Sequence, residues 1–249
     1  MIISGMRNFD LEKIIYSTDL EMYKKALELY EKSKVTEFKF ENGMCHATVI
    51  GREPYHTSII QIDYEYGHCD CYMGQKEILC KHMVATAIYS LYLGKPIPKK
   101  LKNIHTKPVS SEKTGSLTLD EIKLTKKSFS EASKYIKAYP GSTRYWFSYQ
   151  ASLTEGCLRL SETISNLPVC MDSAILIIQL LLKIDKKLSS GGVDDSDGVV
   201  GDFISDTVNV LIDYTQIDKS IIASFELLTK GRTCFGWESE LVRIFDEQE

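Results

Sequence analysis

Cys69-Asp70-Cys71, eight further residues, and then Cys80-Lys81-His82 place three thiols and an imidazole in one short stretch of chain. These are the donors zinc prefers, and three cysteines with one histidine make a closed tetrahedral structural set. The spacing suits such a site. In an extended segment residues i and i+2 project to the same side, so Cys69 and Cys71 can grip one side of an ion. Cys80 and His82 stand at the start of a helical pattern, where the first turn faces back toward the preceding loop. The positive end of that helix also favours charged thiolates. Four protein donors leave no position for a reactive water, so the sequence predicts one structural zinc per chain and no hydrolysis at the metal. The competing account is a group of reduced side chains packed together without metal. His68 is an alternative donor, but it directly precedes Cys69 and its side chain should point away from the pair.

The chain has seven cysteines, an odd number, and three of them belong to this cluster. In a reducing compartment such a group reads as a metal site and not as a disulfide framework. Cys45, Cys157, Cys170 and Cys234 lie in apolar stretches and are expected to be small buried hydrophobes.

A second group, Asp194-Asp195-Ser196-Asp197-Gly198, is dense in carboxylates. As a calcium loop it fails: with Gly198 sixth, Val193 and Ile204 occupy the first and twelfth positions, where acidic ligands are needed. A metal-dependent nuclease using Asp194, Asp195 and Asp197 would need further carboxylates and surrounding strands. The plainer expectation is a polar turn between helices, with Asp195 or Asp197 capping the second. No phosphate loop, nucleophile elbow or dinucleotide fingerprint is present, and GKPIPKK lacks the spacing of a Walker loop. No small-molecule substrate is evident.

For nucleic acid the candidate contacts are Lys76, Lys81, Lys99, Lys100 and Lys102, with Lys95 and Lys107 nearby and Tyr66 and Tyr72 for stacking. The competing account is a solvated lysine-rich linker beside core tyrosines. The charge is unevenly spread: residues 1–116 hold 16 Lys+Arg against 14 Asp+Glu, and residues 117–249 hold 14 against 20. A nucleic-acid reader usually carries a stronger basic footprint. No apolar run is long enough to span a membrane, and no secretory signal opens the chain, so the expected location is the cytoplasm.

The elements that must position the cluster follow from periodicity. Residues 9–33 recur at helical spacing, with a break near Asp19. Val35 to Glu41 alternates as a strand, Asn42-Gly43 is a hairpin turn, and Cys45 to Ile50 and Thr57 to Ile62 read as two more strands. Met83 to Leu93 is helical and is stopped by Gly94, Pro96 and Pro98. The predicted fold class is α+β: a small N-terminal helix, an antiparallel meander and a ββα zinc finger, followed by an all-α C-terminal domain. The expected organisation is an N-terminal α+β domain over 1–98 with the finger at about 66–94, a Lys/Pro/Ser linker over 99–117, and a helical domain over 118–249. Six helices are expected there, at about 118–139, 144–165, 168–188, 199–214, 217–230 and 237–247.

The pattern Cys-x-Cys-x8-Cys-x-His, with strands before it and CKHMVATAIY after it, resembles the SWIM zinc finger. The upstream LELYEKSKV and VIGREPYHTSIIQI look like the amino-terminal part of prokaryotic SWIM-containing proteins, and VDDSDGVVGDFI and FGWESELVRIF resemble their helical region. The resemblance implies a ββα unit holding zinc through Cys69, Cys71, Cys80 and His82, and binding instead of catalysis. It points to DNA or a protein partner, including a helicase-type ATPase. A protein–protein adaptor without nucleic-acid affinity is the alternative reading.

Overall fold

The computed structural model describes residues 9–98, 105–229 and 233–248. The chain divides into two compact units, Met1–Asn103 and Ile104–Glu249.

The first unit is α+β. Helices α1 (Leu11–Ser17) and α2 (Leu20–Glu31) are each opened by an aspartate. Asp10 accepts from the Lys13 amide, and Asp19 accepts from the Met22 amide. Four antiparallel strands follow, β1 (Val35–Glu41), β2 (Met44–Ile50), β3 (Pro54–Ile60) and β4 (Asp63–Cys69), ordered β1-β2-β3-β4. The β1–β2 turn is Asn42-Gly43, both with positive φ, as a two-residue hairpin of this kind requires. Helix α3 (Lys81–Tyr92) lies across one face of the sheet and also packs on α1 and α2. Enclosure on two sides explains why it is apolar nearly all round, burying Met83, Val84, Ala85, Ala87 and Ile88.

The meander has one strand more than the sequence pattern suggests. Strand β4 reads DYEYGHC, and of its residues only Tyr64 and Cys69 are buried. It sits at the sheet edge, and its pairing with β3 shifts register between Ile59 and Ile60. An exposed, bulged edge strand has no reason to alternate cleanly.

The second unit is helical: α4 (Leu119–Ala132), α5 (Trp146–Ser165), α6 (Met171–Ser189), α7 (Val199–Ile217), a 3₁₀ helix (Lys219–Leu228) and α8 (Ser239–Asp246). Its core includes Leu153, Leu160, Ile177, Leu181, Leu211, Tyr214 and Phe225. Helix α4 ends earlier than expected, and beyond its end the Lys187 ammonium donates to the carbonyls of Ser133 and Ile136, at 2.8 and 2.5 Å.

The stretch expected as a linker over 99–117 is bound chain where it is described. Residues 99–104 lie outside the described residues. From His105 onward the backbone is fastened to the helical unit: His105 N–H donates to Glu162 (3.1 Å) and Val109 N–H to Ser165 Oγ (3.0 Å). Ser111 Oγ donates to the Leu167 carbonyl (2.6 Å), and Val169 N–H donates to the Lys113 carbonyl (2.7 Å). Thr118 and Glu121 then form a capping box that starts α4. Among the described residues no helix is long and apolar enough to cross a membrane.

Candidate metal centre

Cys69, Cys71, Cys80 and His82 converge: their ligand atoms all lie within 4.8 Å of one another, and all four residues are buried. Cys69 closes β4, opposite Thr57 of β3. Cys71 follows after one residue, and its sulfur accepts the Gly74 N–H at 3.4 Å. A single 3₁₀ turn (Gly74–Lys76) reverses the chain, with Ile78 N–H on the Met73 carbonyl at 3.1 Å. Cys80 is then the extended N-cap of α3, and His82 stands in its first turn.

The imidazole presents Nδ1 to the thiols, 3.7 Å from Cys69 Sγ and 3.9 Å from Cys80 Sγ. Zinc–sulfur and zinc–nitrogen bonds of ordinary length give a tetrahedron with edges of about 3.6–3.8 Å, and the two separations from Nδ1 lie close to that spacing. The chemistry of the set and its geometry both fit a closed four-donor metal site.

The ring is fixed from outside the donor set. Tyr55 stacks on it, 4.3 Å between centroids and 22° between planes. The Thr86 hydroxyl donates to the His82 carbonyl at 3.0 Å, and the Thr57 hydroxyl lies 2.6 Å from that of Thr86, which ties the first turn of α3 to β3. Nε2 is buried with no hydrogen-bond partner among the described residues. Among the described residues the ring is oriented by stacking and by the anchoring of its helical turn.

The thiols are electrostatically coupled. Cys69 is pushed above the ordinary thiol range, first by its hydrogen bond with Cys80 and then by burial. Cys80 is held low, first by that same bond and, against the cost of burial, by His82. The metal-free pair thus shares a proton through that hydrogen bond, and a metal bound by both sulfurs must displace it. The sign follows: lower pH restores that proton and opposes binding. Apparent zinc affinity should fall at least about tenfold for each pH unit below neutral, one displaced proton being worth that factor. Chelator competition at pH 7 and pH 6 checks this, and an unchanged affinity would argue against thiolate ligation.

His68 is exposed and lies outside the cluster, as its place in the strand requires. Cys45 and Cys157 are buried, but Cys170 is only partly so and Cys234 is exposed. The expectation of four buried hydrophobes therefore fails for those two. Cys234 sits in the segment before α8, where its N–H and the Trp237 indole N–H both donate to Asp185.

Of the lysines expected to meet nucleic acid, Lys76 and Lys81 are exposed, in the loop between Cys71 and Cys80 and at the start of α3. Lys76 reaches Tyr72, 2.6 Å from its hydroxyl and 4.3 Å over its ring. Lys99, Lys100 and Lys102 lie outside the described residues. The carboxylates of Asp194, Asp195 and Asp197 do not converge; among the described residues the Cys/His group is the one cluster able to hold a metal. Asp195 instead caps α7, accepting the N–H groups of Val200 and Gly201 at 2.9 and 2.8 Å.

Residues that sequence spacing did not single out also build the site: Tyr55, Thr57, Thr86, Asp70 and Gly74. Only Gly74 carried a signal, as a glycine inside the loop between the two ligand pairs. Comparison with protein-family models, with curated proteins and with solved structures gives no match for this chain.

Proposed function

We propose that the chain is a non-catalytic recognition module of SWIM type, in which one structural zinc on Cys69, Cys71, Cys80 and His82 presents a surface to DNA or to a protein partner, a helicase-type ATPase among the candidates. The observation that carries this is the pairing of a buried, convergent set of four donors with an exposed loop tip. Tyr72 is 71% exposed on that tip, beside exposed Met73 and Ile78 and the Lys76 ammonium. Exposed apolar side chains grouped together and rimmed by polar residues mark interaction sites. Four protein donors fill the coordination sphere, so the ion's work is architectural.

A protein–protein adaptor is the second reading. It is favoured by the acidic balance of residues 117–249 and by the near-neutral balance of the remainder. Salt separates the two. Contact of Lys76, Lys81, Lys99, Lys100 and Lys102 with phosphates should cost roughly 10²–10³-fold in DNA affinity between 50 and 200 mM salt. Fluorescence anisotropy with labelled duplex and single-stranded oligonucleotides measures it, and absence of binding at low salt decides for the adaptor.

A further inference from the structure

The residue between the first two ligands has every polar backbone group and its carboxylate engaged. Asp70 N–H donates to the His56 carbonyl (3.3 Å), and the Asp70 carbonyl accepts from Gln75 Nε2 (2.7 Å). Its carboxylate takes the His56 N–H on both oxygens, at 3.0 and 3.1 Å, and lies 2.9 Å from His56 Nδ1. In a regular antiparallel pair the His56 N–H would be answered by the carbonyl of the residue opposite. Thr57 faces Cys69 in the register, so that residue is Asp70. Here the side chain replaces the main chain as acceptor, and the freed carbonyl turns away to Gln75. The ladder ends without an orphaned donor, and the chain leaves the sheet at the point where Cys71 must swing toward the ion.

We infer that Asp70 is a positioning residue for the metal, its carboxylate substituting for a backbone acceptor so that Cys69 and Cys71 address one ion. The inference rests on the zinc reading above. The backbone bonds are the effective part of the contact. The His56 ring is largely exposed, and an exposed ion pair contributes little. A charge-assisted bond to a backbone N–H is stronger and fixes geometry.

The test measures zinc release into a chromophoric chelator, and the visible spectrum after cobalt substitution, for the full chain and three variants. Asp70→Ala should release zinc about 10–100-fold faster, the usual cost of losing a residue that orients a ligand, with an altered cobalt spectrum and one metal still bound per chain. Asp70→Asn keeps one acceptor for the amide and should fall between Asp70→Ala and wild type. His56→Ala keeps both backbone bonds and should release zinc at nearly the wild-type rate. A wild-type rate in Asp70→Ala overturns the inference. If that variant does not fold, a wild-type rate in Asp70→Asn does so. Wild-type protein that binds no zinc removes the zinc reading itself, an outcome seen in metal stoichiometry before any variant is compared.

Discussion

Zinc removal, or Cys80→Ser, should unfold residues 9–98 and leave helices α4 to α8 folded. The metal-binding energy of such sites is about 10–16 kcal/mol apparent at neutral pH, and because no site exists in the unfolded chain it counts as folding energy. The net stability of a domain is only about 5–15 kcal/mol, so the first unit cannot lose a contribution of that size and persist. The helical unit has its own core, centred on residues such as Leu160, Ile177, Leu211 and Phe225, and contains none of the ligands. Hydrogen exchange resolves the two outcomes: amides of β2, β3 and α3 should lose protection after chelation while those of α5 and α6 keep it. Metal analysis of the purified chain should give close to one zinc. A metal-free chain with full protection throughout residues 9–98 would show that the four side chains are merely packed together.

Gly74→Ala should damage the same site without touching a ligand. A Cβ at Gly74 would lie 2.2 Å from the Cys69 carbonyl oxygen, 2.5 Å from Cys69 Cβ and 2.7 Å from its carbonyl carbon. None of these atoms is the flexible end of a side chain, so the turn itself must move. Moving it also carries away the N–H that Gly74 gives to Cys71 Sγ. Overpacking of this kind costs about 1–3 kcal/mol, and backbone obstacles place this case at the upper end. Gly43→Ala is the useful comparison. There a Cβ meets nothing within 4 Å, and only the positive φ of 79° opposes it, at about 1–2 kcal/mol. Thermal unfolding should therefore rank Gly74→Ala below Gly43→Ala, with faster zinc release in Gly74→Ala alone. Equal release rates in the two variants would show that the loop is not locked by this close approach.

The four donors were legible because they are close in sequence and because two local geometries, a strand end and a helix start, suffice to aim them. Helix α3 was legible for a similar reason, as an unbroken apolar run, and so was the Asn42-Gly43 turn. Strand β4 was not, because edge exposure and the shift at Ile59/Ile60 remove the alternation that marks a strand. The stretch from His105 to Ser116 reads as a tether because its composition is polar. Its hydrogen bonds go to Glu162, Ser165 and Leu167, more than fifty residues away, where no local pattern can reveal them. The 3₁₀ form of Lys219–Leu228 likewise replaces an expected α-helix within a sequence that would suit either.

Sequence alone determined the chemical identity of the site: which atoms can be ligands, that they are soft, and that they come in two pairs on either side of a loop. Tertiary structure decided how those pairs are held, through Tyr55 stacked on His82, Thr57 and Thr86 joining α3 to β3, and Asp70 answering the His56 amide. Ligand type is a property of single residues and their near neighbours. Orientation depends on groups brought in from other strands, and only the folded chain places them.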